Sequence, residues 1–329
     1  MSSIRLTISL AAMLLTACAY QPSRYIPTVD ESTVKPDLYG RFLGTSTLYF
    51  TDGDSGLMVD AYLTRESLLS NIINDIHSDR EWVETFLKEK SAISILNAVV
   101  ISHTHFDHAL DAQSVGETYP DATIYGSEQT IQLLSNVKYK ELSEPKTEFT
   151  EGNFKVTVLR SPHVEKTGSQ KWVEPKLNAA MGGEAYADPG DVYSVHIAHP
   201  AASILVIPSA GYLAGYNDLE ADVVFMGIGL LSNELRQPGL YNNDIDYIEE
   251  YWQKAVLDTC AKVVVPVHWD YFFSEVRDKM AVTPNWIDDI KGTMSELDKL
   301  AQSEAGCDEN PVTIAFPKGI KPFALPIIQ

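Results

Sequence analysis

Ser102-His103-Thr104-His105-Phe106-Asp107-His108 is the stretch on which the reading of this chain turns. Behind it stands Ile95-Leu96-Asn97-Ala98-Val99-Val100-Ile101, an apolar, β-branched run that reads as a buried strand. The histidines therefore leave a strand end on a loop, where alternate side chains can face the same way. His103 and His105 can grip one ion, and Asp107 and His108 turn toward a second, neighbouring position. Neutral imidazole and carboxylate are the donors that a borderline cation such as zinc prefers. A polar surface turn without metal is the alternative. Against it, crowding three imidazoles brings no structural benefit, and each repels the others once protonated.

His-x-His-x-Asp-His after a buried strand resembles the signature of the metallo-β-lactamase superfamily of hydrolases. The resemblance implies an α/β chain folded as an αβ/βα four-layer sandwich, with metals at the seam between two sheets. Landmarks along the chain follow the family order from Tyr39 to Phe316. Gly44-Thr45-Ser46 and Asp60 fill the places of the family's first hairpins, where the aspartate supports the metal loop from behind; a strand-end cap is the other reading of Asp60. His163, after the alternating strand Phe154 to Leu159, falls where the family places the third histidine of its first metal position. Val263-Val264-Val265-Pro266-Val267-His268-Trp269 resembles the last ligand motif of the branch that contains ascorbate-phosphate lactonases and the phospholipase D acting on N-acyl phosphatidylethanolamine. His196 and His199 lie in a strand pair where the family has no ligand, and both read as structural. One departure stands out. Related sequences read Gly-Asp-Thr-Gly-Tyr where this chain has Pro208-Ser209-Ala210-Gly211-Tyr212, so Ser209 takes the position of an aspartate that bridges the two metals.

What the resemblance implies chemically is a first site of His103, His105 and His163 and a second of Asp107, His108 and His268. The cofactor is zinc (Zn2+), one or two ions, with the second bound more weakly for want of the bridging carboxylate. Some β-lactamases of the superfamily hold two zincs with such a set and no bridging aspartate. A metal-bound hydroxide would then attack a small ester, lactone or phosphodiester. Asp107 is the candidate catalytic carboxylate, and Tyr212 a candidate proton donor to the leaving group. A β-lactamase proper and a metal-binding lipoprotein weakened in turnover are the alternatives. Redox chemistry is disfavoured, because diiron relatives carry Glu where this chain has His105.

Composition narrows the substrate. The formal charge of −20 over 329 residues repels phosphate backbones, and no Lys/Arg cluster offsets it, so a nucleic-acid partner is excluded. An apolar content of 45% is ordinary and supplies a sizeable core. Trp269, Tyr271, Phe272 and Phe273 suit either an apolar pocket or core packing. A small-molecule or lipid-like substrate fits both observations.

At the N-terminus, Arg5 precedes the apolar run Leu6 to Leu15, which is too short to span a bilayer as a mature helix. Leu15-Thr16-Ala17-Cys18 resembles the lipobox of bacterial lipoproteins, with Cys18 as the lipidated residue and Ala19 implying the outer membrane. Residues 1–17 are thus expected to be a lipoprotein signal peptide, 18–38 a polar tether and 39–329 the hydrolase domain, held at the periplasmic side of the outer membrane. Cys260 and Cys307 remain and have one intramolecular pairing open to them in an oxidising compartment. Helices are expected at Ser67 to His77, Arg80 to Lys90, Leu110 to Tyr119, Glu128 to Leu134, Ile245 to Leu257 and Asn285 to Gln302. The Gly- and Pro-containing stretch Thr167 to Asp191 reads as a flap over the site or an insertion.

Overall fold

The computed structural model describes residues 20–30, 36–67, 76–164, 176, 178–179, 182–216, 218–231 and 239–327. Cys18 and most of the expected helix from Ser67 to His77 lie outside them, as does part of the stretch from Thr167 to Asp191. Among the described residues, fourteen strands form two mixed sheets of seven. The first sheet holds β1 (Tyr39–Phe42), β2 (Leu48–Thr51), β3 (Gly56–Val59), β4 (Ala98–Val100), β5 (Thr123–Gly126) and β6 (Tyr139–Glu141) in that order. The second holds β7 (Lys146–Glu151), β8 (Phe154–Ser161), β9 (Val192–His199), β10 (Ala202–Ile207), β11 (Val223–Gly227), β12 (Val263–Val267) and β13 (Thr313–Ile314), while β14 (Phe323–Ala324) returns to pair with β1. Each sheet is antiparallel at one end and parallel at the other: β3–β4–β5–β6 in the first and β10–β11–β12–β13 in the second. Helices cover the outer faces, giving the four-layer αβ/βα sandwich that the sequence resemblance implies.

Sequence explains the placement of these strands. A parallel strand is covered on both faces and must be apolar throughout, and β4 (Ala-Val-Val), β11 (Val-Val-Phe-Met-Gly) and β12 (Val-Val-Val-Pro-Val) are buried at every position. Between the sheets, Phe225 of β11 meets Phe50 of β2 at 5.4 Å between ring centroids and Phe323 of β14 at 6.2 Å. Each such ring contributes about 1.5–3 kcal/mol by leaving water.

Helices begin where a side-chain oxygen accepts an otherwise unpaired amide. Asp79 accepts Trp82 N at the start of α1 (Arg80–Thr85, continued as a π-helical turn over Phe86–Lys90). α2 (Phe106–Ala109), α3 (Ala112–Thr118) and α4 (Glu128–Gln132) follow. Asp246 opens α5 (Tyr247–Trp252, with a π-helical turn over Gln253–Leu257), and Asp289 opens α6 (Ile290–Ser303).

Three features differ from expectation or settle it. Residues 20–30 do not hang free as a tether: Tyr25 bridges Phe316, the Ile26 amide donates to Phe316 O at 2.8 Å, and the Val29 amide donates to Pro322 O at 2.9 Å. The buried Ile26 side chain supplies the apolar reason. Strands β6 and β7 were not anticipated, since the residues of β6 are all exposed and those of β7 only half-buried in alternation. Cys260 and Cys307 are joined as a disulfide across 47 positions of sequence.

Candidate metal centre

Every candidate ligand sits just past the C-terminal end of a strand: His103 to His108 after β4, His163 after β8 and His268 after β12. Carboxyl ends of strands are where open α/β sheets place their ligands. Here six side chains meet as two sets of three. His103, His105 and His163 offer nitrogens that all lie within 4.8 Å of one another, and so do the ligand atoms of Asp107, His108 and His268. His103 Nε2 is 3.2 Å from His105 Nδ1, and the His163 ring closes the triangle at 5.0 and 5.1 Å from theirs. In the other set, Asp107 Oδ2 lies 3.1 Å from His268 Nε2 and 3.4 Å from His108 Nε2. The sets share a wall, because the His103 and His108 rings are 3.8 Å apart.

Short-range geometry explains the split. His105 ends the extended loop at φ −56°, ψ 148°, and the next residues form the single turn of α2. Histidines at alternate extended positions face one way, and the turn carries Asp107 and His108 to the other set.

Asp60 holds this loop from behind. Its Oδ1 accepts the Ser102 amide at 2.7 Å, and its Oδ2 accepts the Ser46 hydroxyl at 2.5 Å and faces His108 Nδ1 at 2.8 Å. A carboxylate on the far nitrogen fixes which nitrogen of a ligating histidine is free for metal. A second carboxylate, Asp270, accepts the Thr45 amide at 2.8 Å and Arg65 Nη1 at 2.6 Å, and the Thr45 carbonyl in turn accepts the His268 amide at 2.6 Å. Asp111 accepts the amides of Leu63 and Thr64 and the hydroxyls of Thr64 and Ser78, which ties the chain after β3 to α3. Asp60 and His268 both adopt left-handed backbone, at φ +56° and +64°, as do Thr45, whose carbonyl holds His268, Ala210, which follows Ser209, and Leu230. Strained backbone of this kind costs on the order of 1–3 kcal/mol per residue and gathers at functional sites.

The electrostatics follow from burial and pairing. Burial and the neighbouring imidazoles hold His103 well below its ordinary pKa, so it presents a neutral ring. Burial opposes charge on His108 too, yet Asp107 and Asp60 on either side outweigh it and hold that imidazole up at about 10. Asp107 stays ionised far below the usual carboxylate range, because His108 and His268 overcome its burial. In the metal-free protein His108 thus stands as the cation between two carboxylates, and a metal entering this set displaces its proton.

All six side chains line one cavity of about 140 Å³, with Ser209, Asn178, Asp288 and the rings of Phe106, Tyr271, Phe272 and Phe273. Ser209 therefore does occupy the wall expected for it. Its carbonyl accepts the Val164 amide at 3.2 Å, and a Cβ on Gly211 would fall 1.8 Å from Pro162 O, so this turn is pressed onto the His163 loop.

Tyr212 does not join the site. It is fully buried, donates to Glu250 Oε2 at 3.1 Å, accepts the Leu240 amide at 2.8 Å and stacks on Tyr251 of α5. Packing accounts for it, and it is not a proton donor to a leaving group. Trp269 likewise turns from the cavity to the core, stacked on Phe42, whereas its neighbours Tyr271, Phe272 and Phe273 stay on the cavity wall. His196 Nε2 donates to Glu220 O and His199 sits against Asp52 and Phe154, both apart from the site.

Sequence reasoning missed Gly229, Asn178 and Asp288. A Cβ on Gly229 would lie 2.0 Å from His268 Nδ1 and 2.8 Å from its Cε1, so the ring occupies the space that glycine leaves. Gly229→Ala is expected to swing His268 aside and weaken metal binding at the Asp107 set by about ten- to a hundredfold, the scale of lost support around a bound metal. Stepwise metal titration checks this; an unchanged second step rejects it.

A family model described as the beta-lactamase superfamily domain matches residues 71–269. No curated protein matches the chain. Among solved structures, the diiron beta-hydroxylase CmlA of Streptomyces venezuelae is similar at 10% identity and TM-score 0.51, covering 89% of this chain and 55% of its own. The metallo-beta-lactamase fold protein YhfI of Bacillus subtilis is similar at 16% identity and TM-score 0.49, covering 87% and 98%. The isothiocyanate hydrolase of Delia radicum gut bacteria is similar at 16% identity and TM-score 0.49, covering 88% and 99%.

Proposed function

This chain belongs to the beta-lactamase superfamily and is a metal-dependent hydrolase of that fold, and we propose that it binds zinc and cleaves a small ester, lactone or phosphodiester. The observation that carries this reading is the convergence of five imidazoles and one carboxylate, from three strand ends, on a single small cavity. The donors fit the metal: nitrogen-rich, with one carboxylate, and three per position, as in catalytic rather than structural sites. Iron centres favour more oxygen donors, and His105 supplies nitrogen.

When bound, such ions make a water nucleophilic near neutral pH and polarise the scissile group. The rest falls to the chain. Asp107, held ionised, accepts a hydrogen bond from the attacking water and aims its lone pair at the substrate. Asp60 fixes the His108 ring, and the Thr45 carbonyl fixes the backbone of His268. Phe106, Phe272 and Phe273 exclude bulk water from the apolar side of the substrate, and the buried Asn178 amide is placed to bind one of its polar atoms. A cavity of about 140 Å³ admits a small reacting group; drug-sized ligands fill about 300–1,000 Å³.

The protein is further proposed to be exported and lipid-anchored through Cys18. The lipobox-like sequence supports this, and the Cys260–Cys307 disulfide is of a kind that persists in oxidising compartments.

Two zinc-binding steps are expected in titration, the second weaker. Ser209→Asp is expected to strengthen that second step by about ten- to a hundredfold: a unit charge at 4 Å gains about 4 kcal/mol at an effective dielectric of 20, less the penalty for its burial. Turnover of a generic ester, lactone and phosphodiester panel then identifies the bond class. Protein that retains no transition metal after purification and reloading overturns the proposal.

A further inference from the structure

Two polar atoms in the cavity wall have no hydrogen-bond partner among the described residues: His268 Nδ1 and Asp288 Oδ1. Both residues are more than nine-tenths buried, at 8% and 3% exposure, and both line the metal cavity. They meet around the same two residues. His268 Nδ1 rests over the Cα of Gly229, and the other Asp288 oxygen, Oδ2, accepts the amide of Leu230 at 2.7 Å. Asp288 is not needed to start α6, because its neighbour Asp289 accepts the Gly292 amide there at 2.9 Å. The carboxylate is therefore fixed by one oxygen and presents the other to the cavity.

A ligating histidine nearly always gives its far N–H to a carboxylate, carbonyl or water. In the Asp107 set, His108 does so directly to Asp60. With Nε2, the nitrogen that faces Asp107, given to a metal, the His268 proton belongs on Nδ1, where no described group lies within hydrogen-bonding distance. Two buried polar atoms left without a partner beside the same pair of residues are the kind of groups that a buried water satisfies.

We propose that Asp288 is the positioning carboxylate of His268, receiving the Nδ1 proton through one bridging water and lending the second metal position the negative charge that Ser209 does not supply. The inference rests on the two-site reading given above. Burial raises the Asp288 carboxyl to about 6, against the pull of the Leu230 amide and His268. Two cations in the cavity favour its ionised form, so the charge is present when it is needed.

Asp288→Asn is the direct test, because the asparagine oxygen can still accept the Leu230 amide while the charge is lost. Zinc is titrated into the wild-type chain and the variant against a chromophoric chelator, and cobalt is substituted so that its visible absorption reports the second position. The expected result is an unchanged first step, a second step weakened by about ten- to a hundredfold, and an altered cobalt spectrum at two equivalents only. An unchanged second step overturns the proposal. Equal weakening of both steps also overturns it, since that is general damage to the fold. A wild-type chain that takes up one ion removes this inference together with the two-site reading, whereas one that takes up none removes the hydrolase reading itself.

Discussion

Replacing His103 with alanine is expected to lower hydrolysis by about a thousandfold or more, and excess zinc is not expected to restore it. The size follows from the several kcal/mol that a bound metal contributes to charge stabilisation, at 1.36 kcal/mol per tenfold in rate. His103 is the residue to choose because its ring touches both sets, His105 and His163 on one side at 4.8 and 5.0 Å and His108 on the other at 3.8 Å. Its removal opens the first position and leaves the wall between the two unsupported. Chelation of the wild-type protein should reproduce the loss, and re-addition of zinc should reverse it there and fail in the variant. The quantity to measure is kcat/KM on whichever member of the ester, lactone and phosphodiester panel is turned over. Activity indifferent both to chelator and to His103→Ala would end the metal mechanism.

Asp60→Ala should cost the metal-free protein about 3–5 kcal/mol, a large part of the stability of an ordinary domain. The carboxylate has three donors, the Ser102 amide, the Ser46 hydroxyl and His108 Nδ1, and none is exposed to water. Alanine orphans the Ser102 amide and leaves the Ser46 hydroxyl and His108 Nδ1, 2.9 Å apart, without the carboxylate they share, and each buried group left unpaired costs about 1–3 kcal/mol. It also leaves His108 with Asp107 as its remaining carboxylate. Denaturant unfolding of the metal-free protein gives the value. Asp60→Asn should be milder, since an amide oxygen can still take the Ser102 N–H, but it too should impair metal binding by freeing the His108 ring. A change below about 1 kcal/mol for the alanine variant would mean that the loop is held by something else.

How much of this was legible in the sequence depends on how narrow the chemistry is. Three histidines and an aspartate in six positions leave few physical readings, so the metal loop and its strand stand out. His163 and His268 could be placed only because strand order gave them an address; each by itself is a common loop or strand-end residue. Gly229 and Asp288 carried no such mark. A glycine beside a buried strand suggests a turn, and an aspartate before a helix suggests a cap, as its neighbour Asp289 proves to be. Only the folded chain shows that Gly229 makes room for a ring and that Asp288 faces inward. Tyr212 misled for a related reason: three residues after Ser209 looks close, but the turn pressed onto Pro162 at Gly211 sends the two side chains to opposite sides. The edge strands β6 and β7 escaped because half-exposed strands lack the apolar run that betrays buried ones.

The segment from Tyr20 to Asp30, laid along Phe316 and Pro322, sets the length of the leash that the proposed lipid on Cys18 would have. A free chain from Cys18 to Leu38 could stretch about 70 Å at ~3.5 Å per residue. With Tyr20 already packed against Phe316 at 5.7 Å between ring centroids, only the step from Cys18 to Tyr20, about 7 Å, is left to pay out. A lipid on Cys18 would therefore moor the body flush against the bilayer in a nearly fixed attitude. Under the proposal of a lipid on Cys18, the enzyme would patrol the lipid surface itself, and what reaches its cavity would be decided by which way that moored face is turned.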